Sequence, residues 1–478
     1  MSGTKGTGGK GKTEGAADVL VTGIDWLITV DESRRVIRDA AVAIKDGRFA
    51  AVGKSADIEA GWRAGTVIAG ADRVATPGLI DNHLHSSFQM SRGLADEVNA
   101  QAFLFDRMYP FEGIQERDDV LVGASLAAIE LLSHGVTCFI DPGNYHPDAT
   151  VEAVAGAGMR LVVARSTFDR TKSVMGLLPE SMIDSAETAL AAAEEILDKY
   201  ASTHDGRVRA SASFRGLNNS SDELILGLRG LAEKYDTLLQ THACFSYSTH
   251  DGCVASFGVP EIERLEALGV LDERCLLVHS GWLEPHEVAI LVDRKPTLVA
   301  SPSSSMHNGY GNMTVGKLPE LMALGVNVSL ASDHACSGIV DMPLEMFLAA
   351  GGYKEARINP RVMPPEHVLE MATINGARGA GLGDEIGSVE VGKQADLVLF
   401  DTGRPEWQPL YNPVSNLVYA APGNTVATVF VGGRVVVESG HPTLIDEAAV
   451  YGEVKKMQKR LAGRLDMEKI VSLKWPVE

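Results

Sequence analysis

The 478-residue sequence lacks the features that mark membrane, secreted or nucleic-acid-binding proteins. It contains no run of about 18 consecutive apolar residues, so no membrane-spanning helix is predicted. Its five cysteines are scattered, without a Cys-x-x-Cys pair, which makes a disulfide framework unexpected and a cytoplasmic location the natural one. Basic residues number 43 against 63 acidic ones, and the net charge of -20 disfavours partners such as nucleic acid or anionic membranes.

The two ends of the chain share a pattern that differs from that of the middle. Residues 18–76 and 387–445 contain short β-like runs punctuated by turn residues, and we predict that they form one small composite β-sandwich domain. Residues 77–386 form the predicted central domain, and residues 446–478 a C-terminal helical extension. Residues 1–17 are rich in glycine, lysine and threonine, lack the apolar stretch of a signal peptide, and are predicted to be a disordered lead-in.

The central region alternates short apolar runs with helix-like segments. The runs are LIDNHLH (79–85), VTCFID (136–141), RLVVARSTF (160–168), VRASASF (208–214), TLLQTHAC (237–244), CLLVHSG (275–281), TLVASPSS (297–304) and NVSLASDHA (327–335). Eight strands that alternate with helices predict an α/β fold of the (β/α)8 TIM-barrel type. A doubly wound parallel sheet is the alternative, although no glycine-rich phosphate-binding motif follows the first run.

Histidine and aspartate residues end several of these strands. His83 and His85 end the first, and they share one face because side chains alternate along a strand. His242, His279 and Asp333 end the fifth, sixth and eighth strands. In a barrel these ends meet at one rim, where imidazoles and a carboxylate suit a zinc-like ion that keeps a position for water. Taken singly, each residue also fits a structural role, as a paired or core histidine, a loop residue or a helix N-cap.

Longer stretches resemble a known family over nearly the whole chain from about residue 18. These stretches are PGLIDNHLH (77–85) with SRG (91–93), GVTCFID (135–141), VLDERCLLVHSGWLEPHEV (270–288), LPELMALGVNVSLASD (318–333) and EMATINGARGAGLGDEIGSVEVGKQADLVLFD (370–401). In them the sequence resembles the amidohydrolase superfamily, specifically its atrazine chlorohydrolase and cytosine/guanine deaminase-like branch. The resemblance implies a distorted (β/α)8 barrel with a composite β domain, a homo-oligomer, and hydrolysis of a small-molecule substrate.

The resemblance also implies one divalent metal ion as cofactor. Its ligands would be His83, His85, His242 and Asp333, with His279 beside the water that the metal activates. Zn2+ is the default ion, and Co2+, Mn2+ and Fe2+ accept similar ligands. A metal of this kind lowers the pKa of water toward about 7, and His279 and Asp333 would orient that water and accept its proton.

The sequence departs from this branch at two positions. Relatives carry a glutamate three residues after the strand-five histidine, where it passes a proton to a substrate nitrogen, whereas this chain has Phe245. After strand four, where many relatives have a histidine near Pro-Tyr, this chain has Arg215 in SFRGLNNSS. Arg215 is interpreted either as a group that recognises a carbonyl or carboxylate or as half of a surface salt bridge. We also predict substrate contacts for His307 and Trp282, which follow strands seven and six.

These features predict a metal-dependent hydrolase that cleaves a non-peptide C–N bond or displaces a heteroaromatic substituent, without the usual strand-five proton shuttle. Candidate groups are an amide, urea, carbamate or thiocarbamate, an amino-heterocycle, or a heteroaromatic ring that loses a halogen. Because Phe245 gives the pocket an apolar face, we expect a partly apolar substrate and poor activity on cytosine- or guanine-like rings. The alternative is a metal-binding relative without turnover that acts as a binding or scaffold protein.

Overall fold

The structure is a computed structural model that describes residues 15–333, 336, 338, 340–471 and 475–476. The strands are β1 (Gly15–Ile28), β2 (Val36–Lys45), β3 (Arg48–Lys54), β4 (Trp62–Ala69), β5 (Arg73–Pro77), β6 (Leu79–Asp81), β7 (Val136–Ile140), β8 (Arg160–Val163), β9 (Val208–Ala210), β10 (Ala212–Ser213), β11 (Leu239–Ala243), β12 (Cys275–His279), β13 (Thr297–Ala300), β14 (Val328–Leu330), β15 (Leu397–Asp401), β16 (Val426–Val431), β17 (Arg434–Glu438) and β18 (His441–Pro442).

The helices follow the strands in the order that the alternation predicts. They are α1 (Ser55–Gly61), α2 (Ala100–Ala102), α3 (Tyr109–Gly113), α4 (Arg117–Ser133), α5 (Pro147–Gly156), α6 (Ala186–Lys199), α7 (Asp222–Lys234), α8 (Tyr247–Phe257), α9 (Glu261–Ala267), α10 (Pro285–Arg294), α11 (Pro302–His307), α12 (Asn312–Val315), α13 (Leu318–Ala323), α14 (Met342–Arg357), α15 (Pro365–Met371), α16 (Ile374–Gly379), α17 (Pro413–Tyr419), α18 (Glu447–Ala462) and α19 (Met467–Ile470). Within the described part of the chain, every helix is too short or too polar to span a bilayer.

The strands from β6 to β14 form a closed parallel barrel. They pair in the orders β6-β7-β8-β9 and β10-β11-β12-β13-β14, and β9 and β10 are two pieces of one strand, separated by a single residue. The ring closes between β6 and β14, where the Asn82 amide donates to the Leu330 carbonyl at 3.1 Å and Leu84 forms a parallel bridge with Asp333. This arrangement confirms the predicted (β/α)8 fold.

Strands from both ends of the chain form one nine-stranded sheet beside the barrel. Its order is β18-β17-β16-β15-β5-β1-β2-β3, and β4 pairs with β1. The two ends meet where β5 pairs antiparallel with β15. The sheet encloses its own core, which includes Ile24, Phe49 and Phe430. β1 begins at Gly15, inside the segment predicted as a lead-in, and residues 1–14 of that segment lie outside the described residues.

A buried ion pair joins this sheet to the barrel. Arg160, the first residue of β8, donates from Nε to Oδ2 of Asp396 at 2.7 Å and from Nη2 to Oδ1 at 2.9 Å. Their side chains are only 4% and 2% exposed. Asp396 Oδ1 also accepts from the Gly432 amide at 2.7 Å. The two-pronged contact fixes the sheet at the N-terminal end of the barrel strand, opposite the rim that carries the predicted site.

The segment between β6 and α4 covers the C-terminal end of the barrel. It contains a short π-helix, Phe103–Met108, followed directly by α3. Large side chains of this cover pack together with Cys336 and with Met457 and Leu461 of α18. The C-terminal helix therefore supports the segment that lies over the predicted site.

Candidate metal centre and its cavity

The four predicted ligand side chains converge at the C-terminal end of the barrel. Nε2 of His85 lies 3.2 Å from Nε2 of His83 and 3.3 Å from Nε2 of His242. Oδ1 of Asp333 lies 3.4 Å from His83 Nε2 and 3.8 Å from His85 Nε2. Ligands held tetrahedrally at about 2.0–2.1 Å from a zinc ion are about 3.3–3.4 Å apart. The four atoms therefore fit a single ion of this kind.

Backbone contacts just beyond the C-terminal ends of β6 and β14 fix three of these ligands relative to one another. The His85 amide donates to the Asp333 carbonyl at 2.8 Å, and the Asp333 amide donates to the His83 carbonyl at 2.9 Å. Asp333 and His279 have positive φ angles of 72° and 79°, which are uncommon outside glycine. Backbone strain of this kind concentrates at functional sites, where the surrounding structure maintains it.

The surroundings favour neutral imidazoles, the form that binds metal. Burial and the nearby Arg215 guanidinium hold the pKa of His85 well below its usual value, and burial and His83 do the same for the pKa of His242. Nδ1 of His242 lies 2.8 Å from the Arg215 carbonyl oxygen. This acceptor places the imidazole proton on Nδ1 and leaves Nε2 with its lone pair toward the other ligands.

Asp333 presents its two carboxylate oxygens to different partners. Oδ1 faces the ligand histidines, whereas Oδ2 accepts from Ser304 Oγ at 2.6 Å and lies 3.7 Å from His279 Nε2. The His279 side chain is buried. At this separation the carboxylate and the imidazole can both contact one small bound molecule. Together they can orient that molecule and accept its proton.

A cavity with mostly apolar walls adjoins the four ligands, and its empty space, counting the part open to solvent, is about 460 Å³. Its described lining is His85, Phe88, Phe103, Leu104, Tyr109, Arg215, His242, Phe245, His279, Tyr310 and Asp333. The Phe245 ring lies 5.6 Å from the ring of His279 and 5.2 Å from that of Tyr310, centroid to centroid. An apolar ring therefore stands beside His279, where the family resemblance implies a carboxylate.

Arg215 lines the cavity and is held by three side chains. Its Nε donates to Ser166 Oγ at 3.0 Å, its Nη2 donates to the Glu112 carboxylate, and its Nη1 lies 2.7 Å from His85 Nδ1. The side chains of Arg215 and Glu112 are 4% and 0% exposed. The salt bridge considered from the sequence therefore exists, but it is buried in the site and not on the surface. A direct substrate contact by Arg215 stays a prediction.

The other two predicted substrate contacts lie farther from the ligands. His307 Nε2 pairs with Asp96 Oδ1 at 3.0 Å, and Trp282 Nε1 donates to the Tyr310 carbonyl at 2.8 Å. Neither belongs to the described lining of the cavity. Trp282 acts on the cavity by supporting Tyr310, and substrate contact by either residue stays a prediction.

Sequence reasoning missed the cavity residues that the cover segment supplies. Phe103, Leu104 and Tyr109 match no strand-end pattern, and neither does Glu112, which is buried behind the lining against Arg215. One signal was available, because the stretch AFLFDRMYPFEG (102–113) is rich in large apolar residues and lies outside the eight apolar runs that predict the strands.

Comparison with known proteins identifies the family. The amidohydrolase family profile matches residues 74–436. This chain belongs to the amidohydrolase family. A 5-methylthioadenosine/S-adenosylhomocysteine deaminase of Moorella thermoacetica is 32% identical to this amidohydrolase over 426 residues, which cover 89% of this chain and 96% of that protein.

Solved structures share the fold of this amidohydrolase. An adenosine deaminase from Xanthomonas campestris with bound zinc has a TM-score of 0.88 and 26% identity, and the match covers 94% of this chain and 100% of that one. An atrazine chlorohydrolase from Arthrobacter aurescens TC1, in complex with zinc, has a TM-score of 0.84 and 23% identity, covering 92% and 100%. This second likeness concerns the fold alone.

The family match confirms the superfamily resemblance and the hydrolase class predicted from the sequence. The chain is a metal-dependent hydrolase that acts on C–N bonds of small molecules. The identity of the metal, the homo-oligomeric state and the cytoplasmic location stay predictions.

Proposed function

We propose that this amidohydrolase uses one divalent ion, with Zn2+ as the first candidate, to hydrolyse the carbonyl C–N bond of a small, partly apolar molecule. Amides, ureas, carbamates and thiocarbamates have such a bond. His83, His85, His242 and Asp333 would hold the ion, because their four ligand atoms lie within 4.8 Å of one another. When bound, the ion activates water and polarises the substrate.

His279 and Asp333 would orient the attacking water and transfer its proton. Ser304 donates to Oδ2 of Asp333 and so orients the carboxylate, while His279 Nε2 lies 3.7 Å from the same oxygen. The imidazole can accept the proton of the attacking water and return it to the departing nitrogen. A separate carboxylic acid is not needed for this sequence of transfers.

Phe245 is the observation that carries the choice of bond. Its ring packs against the rings of both His279 and Tyr310 in the cavity wall, and a phenyl group has no proton to pass to a ring nitrogen. Attack on a carbonyl carbon does not require that earlier protonation, since the developing charge falls on oxygen. The same ring favours a substrate with an alkyl or aryl group at this wall.

The second candidate is hydrolytic deamination of an amino-heterocycle. It is supported by the deaminase of Moorella thermoacetica, which is 32% identical over nearly its whole length. The aromatic walls formed by Phe88, Tyr109 and Tyr310 can also stack on a planar ring. In this reaction His279 would have to supply the proton that a strand-five glutamate supplies in relatives.

A substrate panel separates the two candidates. Zinc-loaded protein is incubated with aryl amides, phenylureas and thiocarbamates in parallel with 5′-substituted adenosines, cytosine, guanine and aminotriazines, and the products are identified by mass spectrometry. We expect turnover of the carbonyl compounds, strongly reduced in matched His279→Ala and Asp333→Ala preparations. Faster turnover of an adenosine would establish the second candidate in place of the first. No turnover of any compound would favour the binding or scaffold role.

A further inference from the structure

Glu112 is a buried carboxylate that the proposed mechanism does not use. We propose that Glu112 is a positioning residue that makes the metal site compatible with Arg215, by neutralising the guanidinium and by drawing it away from His85. The inference rests on the proposed metal site. It concerns how this chain tolerates a permanent positive charge beside a ligand of a divalent cation.

The charge of Arg215 cannot be removed by deprotonation at any working pH. Its Nη1 lies 2.7 Å from Nδ1 of His85, and its side chain is 4% exposed. In such dry surroundings a neighbouring cation repels a divalent ion far more strongly than it would in water. An uncompensated Arg215 would therefore oppose metal binding.

The positions of the hydrogen atoms on His85 and Arg215 create a second obstacle to metal binding. Nε2 of His85 faces the other ligands, so that atom is the one available to a metal. A neutral imidazole that binds through Nε2 carries its proton on Nδ1. Nη1 of Arg215 has only protons to offer, and it lies 2.7 Å from Nδ1 and 3.3 Å from Nε2 of the same ring, neither of which keeps a free lone pair once Nε2 binds a metal. The guanidinium must turn toward another acceptor when His85 serves as a ligand.

Glu112 provides that acceptor. One carboxylate oxygen, Oε2, already accepts from Nη2 of Arg215, and the other, Oε1, is buried without a hydrogen-bond partner among the described residues. A rotation of the guanidinium that brings Nη1 to Oε1 would complete a two-pronged arginine–carboxylate pair. The pair satisfies the buried oxygen, cancels the charge and moves Nη1 away from both nitrogens of His85.

The test measures Zn2+ affinity by competition with a chromophoric chelator, which reports binding without activity. We expect Glu112→Gln, which keeps the shape but removes the charge, to weaken Zn2+ binding at least ten-fold. Arg215→Met should bind Zn2+ at least as tightly as wild type. The double variant should return to within about three-fold of wild type, because the charge that Glu112 offsets has gone. Equal Zn2+ affinity of Glu112→Gln and wild type, or a double variant as weak as Glu112→Gln, would overturn the proposal.

The other buried ion pair provides a matched control. Asp396→Asn leaves Arg160 buried and unpaired at the opposite end of the barrel, so it should lower Tm without changing Zn2+ affinity. An equal loss of affinity in Asp396→Asn would assign the effect to general destabilisation and refute the inference. If Glu112→Gln fails to fold, weak binding by the soluble double variant would refute it as well.

A metal-ligand variant distinguishes this inference from the function on which it rests. His83→Ala should lose Zn2+ if the proposed site is correct. Retention of Zn2+ by His83→Ala would overturn the metal site itself. Loss in His83→Ala combined with full affinity in Glu112→Gln would overturn only the role of Glu112.

Discussion

Replacing Phe245 with glutamate tests whether the apolar wall determines which substrate is used. The ring is 9% exposed and packs against the rings of Tyr310 and His279. A substrate group that covers about 50 Å² of this wall gains about 1.2 kcal/mol at about 25 cal/mol per Å². That free energy corresponds to a KM lower by roughly eight-fold.

The Phe245→Glu change removes this gain and also places a carboxylate against the bound substrate group. A buried charge without a partner costs more than the lost contact, so KM should rise by roughly 10- to 100-fold. We expect kcat not to improve, because the rest of the cavity is not shaped for protonating a ring nitrogen. Phe245→Leu is the matched control, since it keeps an apolar wall of similar extent and should change KM by only a few-fold.

The assay is steady-state kinetics on the substrate that the panel identifies, with the metal content of each variant measured in the same preparation. Normalising to metal separates a change in the cavity wall from a change in the ligands. An increase in kcat/KM for Phe245→Glu would refute the reasoning. Efficient deamination of a small polar heterocycle by the wild-type enzyme would refute it equally.

Three further outcomes are expected. The wild-type protein should hold about one divalent ion per chain, and His83→Ala and Asp333→Ala should each lose most of it, because each removes a direct ligand. Full metal content of these variants by elemental analysis would contradict the ligand set. His279→Ala should keep the metal but lose roughly 100-fold in kcat, and an unchanged kcat would mean that Asp333 alone accepts the proton. Burial raises the pKa of Glu261 from 4.5 to about 7. The folded state therefore binds this proton more tightly than the unfolded chain does, and the free energy of unfolding of the wild-type protein falls by about 3 kcal/mol as the pH rises from about 4.5 to 7. The amide side chain in Glu261→Gln can still accept a hydrogen bond from the Cys244 amide but does not ionise. The Tm of this variant relative to that of wild type should therefore increase between pH 5 and pH 8, and a Tm difference that does not change with pH would contradict the raised pKa of Glu261.

The barrel and its ligands were predictable because they follow local rules. Each of the eight observed strands lies inside one of the eight apolar runs, and the short strand β6 ends just before the His-x-His pair. A side-chain period of two and a parallel barrel are enough to bring His83, His242 and Asp333 to the same rim. No knowledge of long-range side-chain contacts was required.

The cavity above the ligands could not be predicted in the same way. Glu112 and Arg215 are 103 residues apart, and their contact depends on how the cover segment folds over the rim. That segment has neither a strand-end position nor a regular hydrophobic period, and it includes a π-helix. Its placement depends on packing against Cys336 and α18, a tertiary interaction that no local pattern encodes.

The two departures from the family pattern have a single electrostatic consequence. Arg215 follows β10 and Phe245 follows β11, neighbouring strands whose ends line the same cavity. One departure adds a permanent positive charge, and the other removes the negative charge that the resemblance implies. Because Glu112 neutralises the added guanidinium, the net change is the loss of a carboxylate, which disfavours a protonated ring nitrogen. Arg215 pairs with Glu112, whereas Phe245 packs against His279 and Tyr310, so the charged pair and the apolar wall can act on different parts of a substrate. The combination fits a molecule with a polar carbonyl at one end and an apolar group at the other.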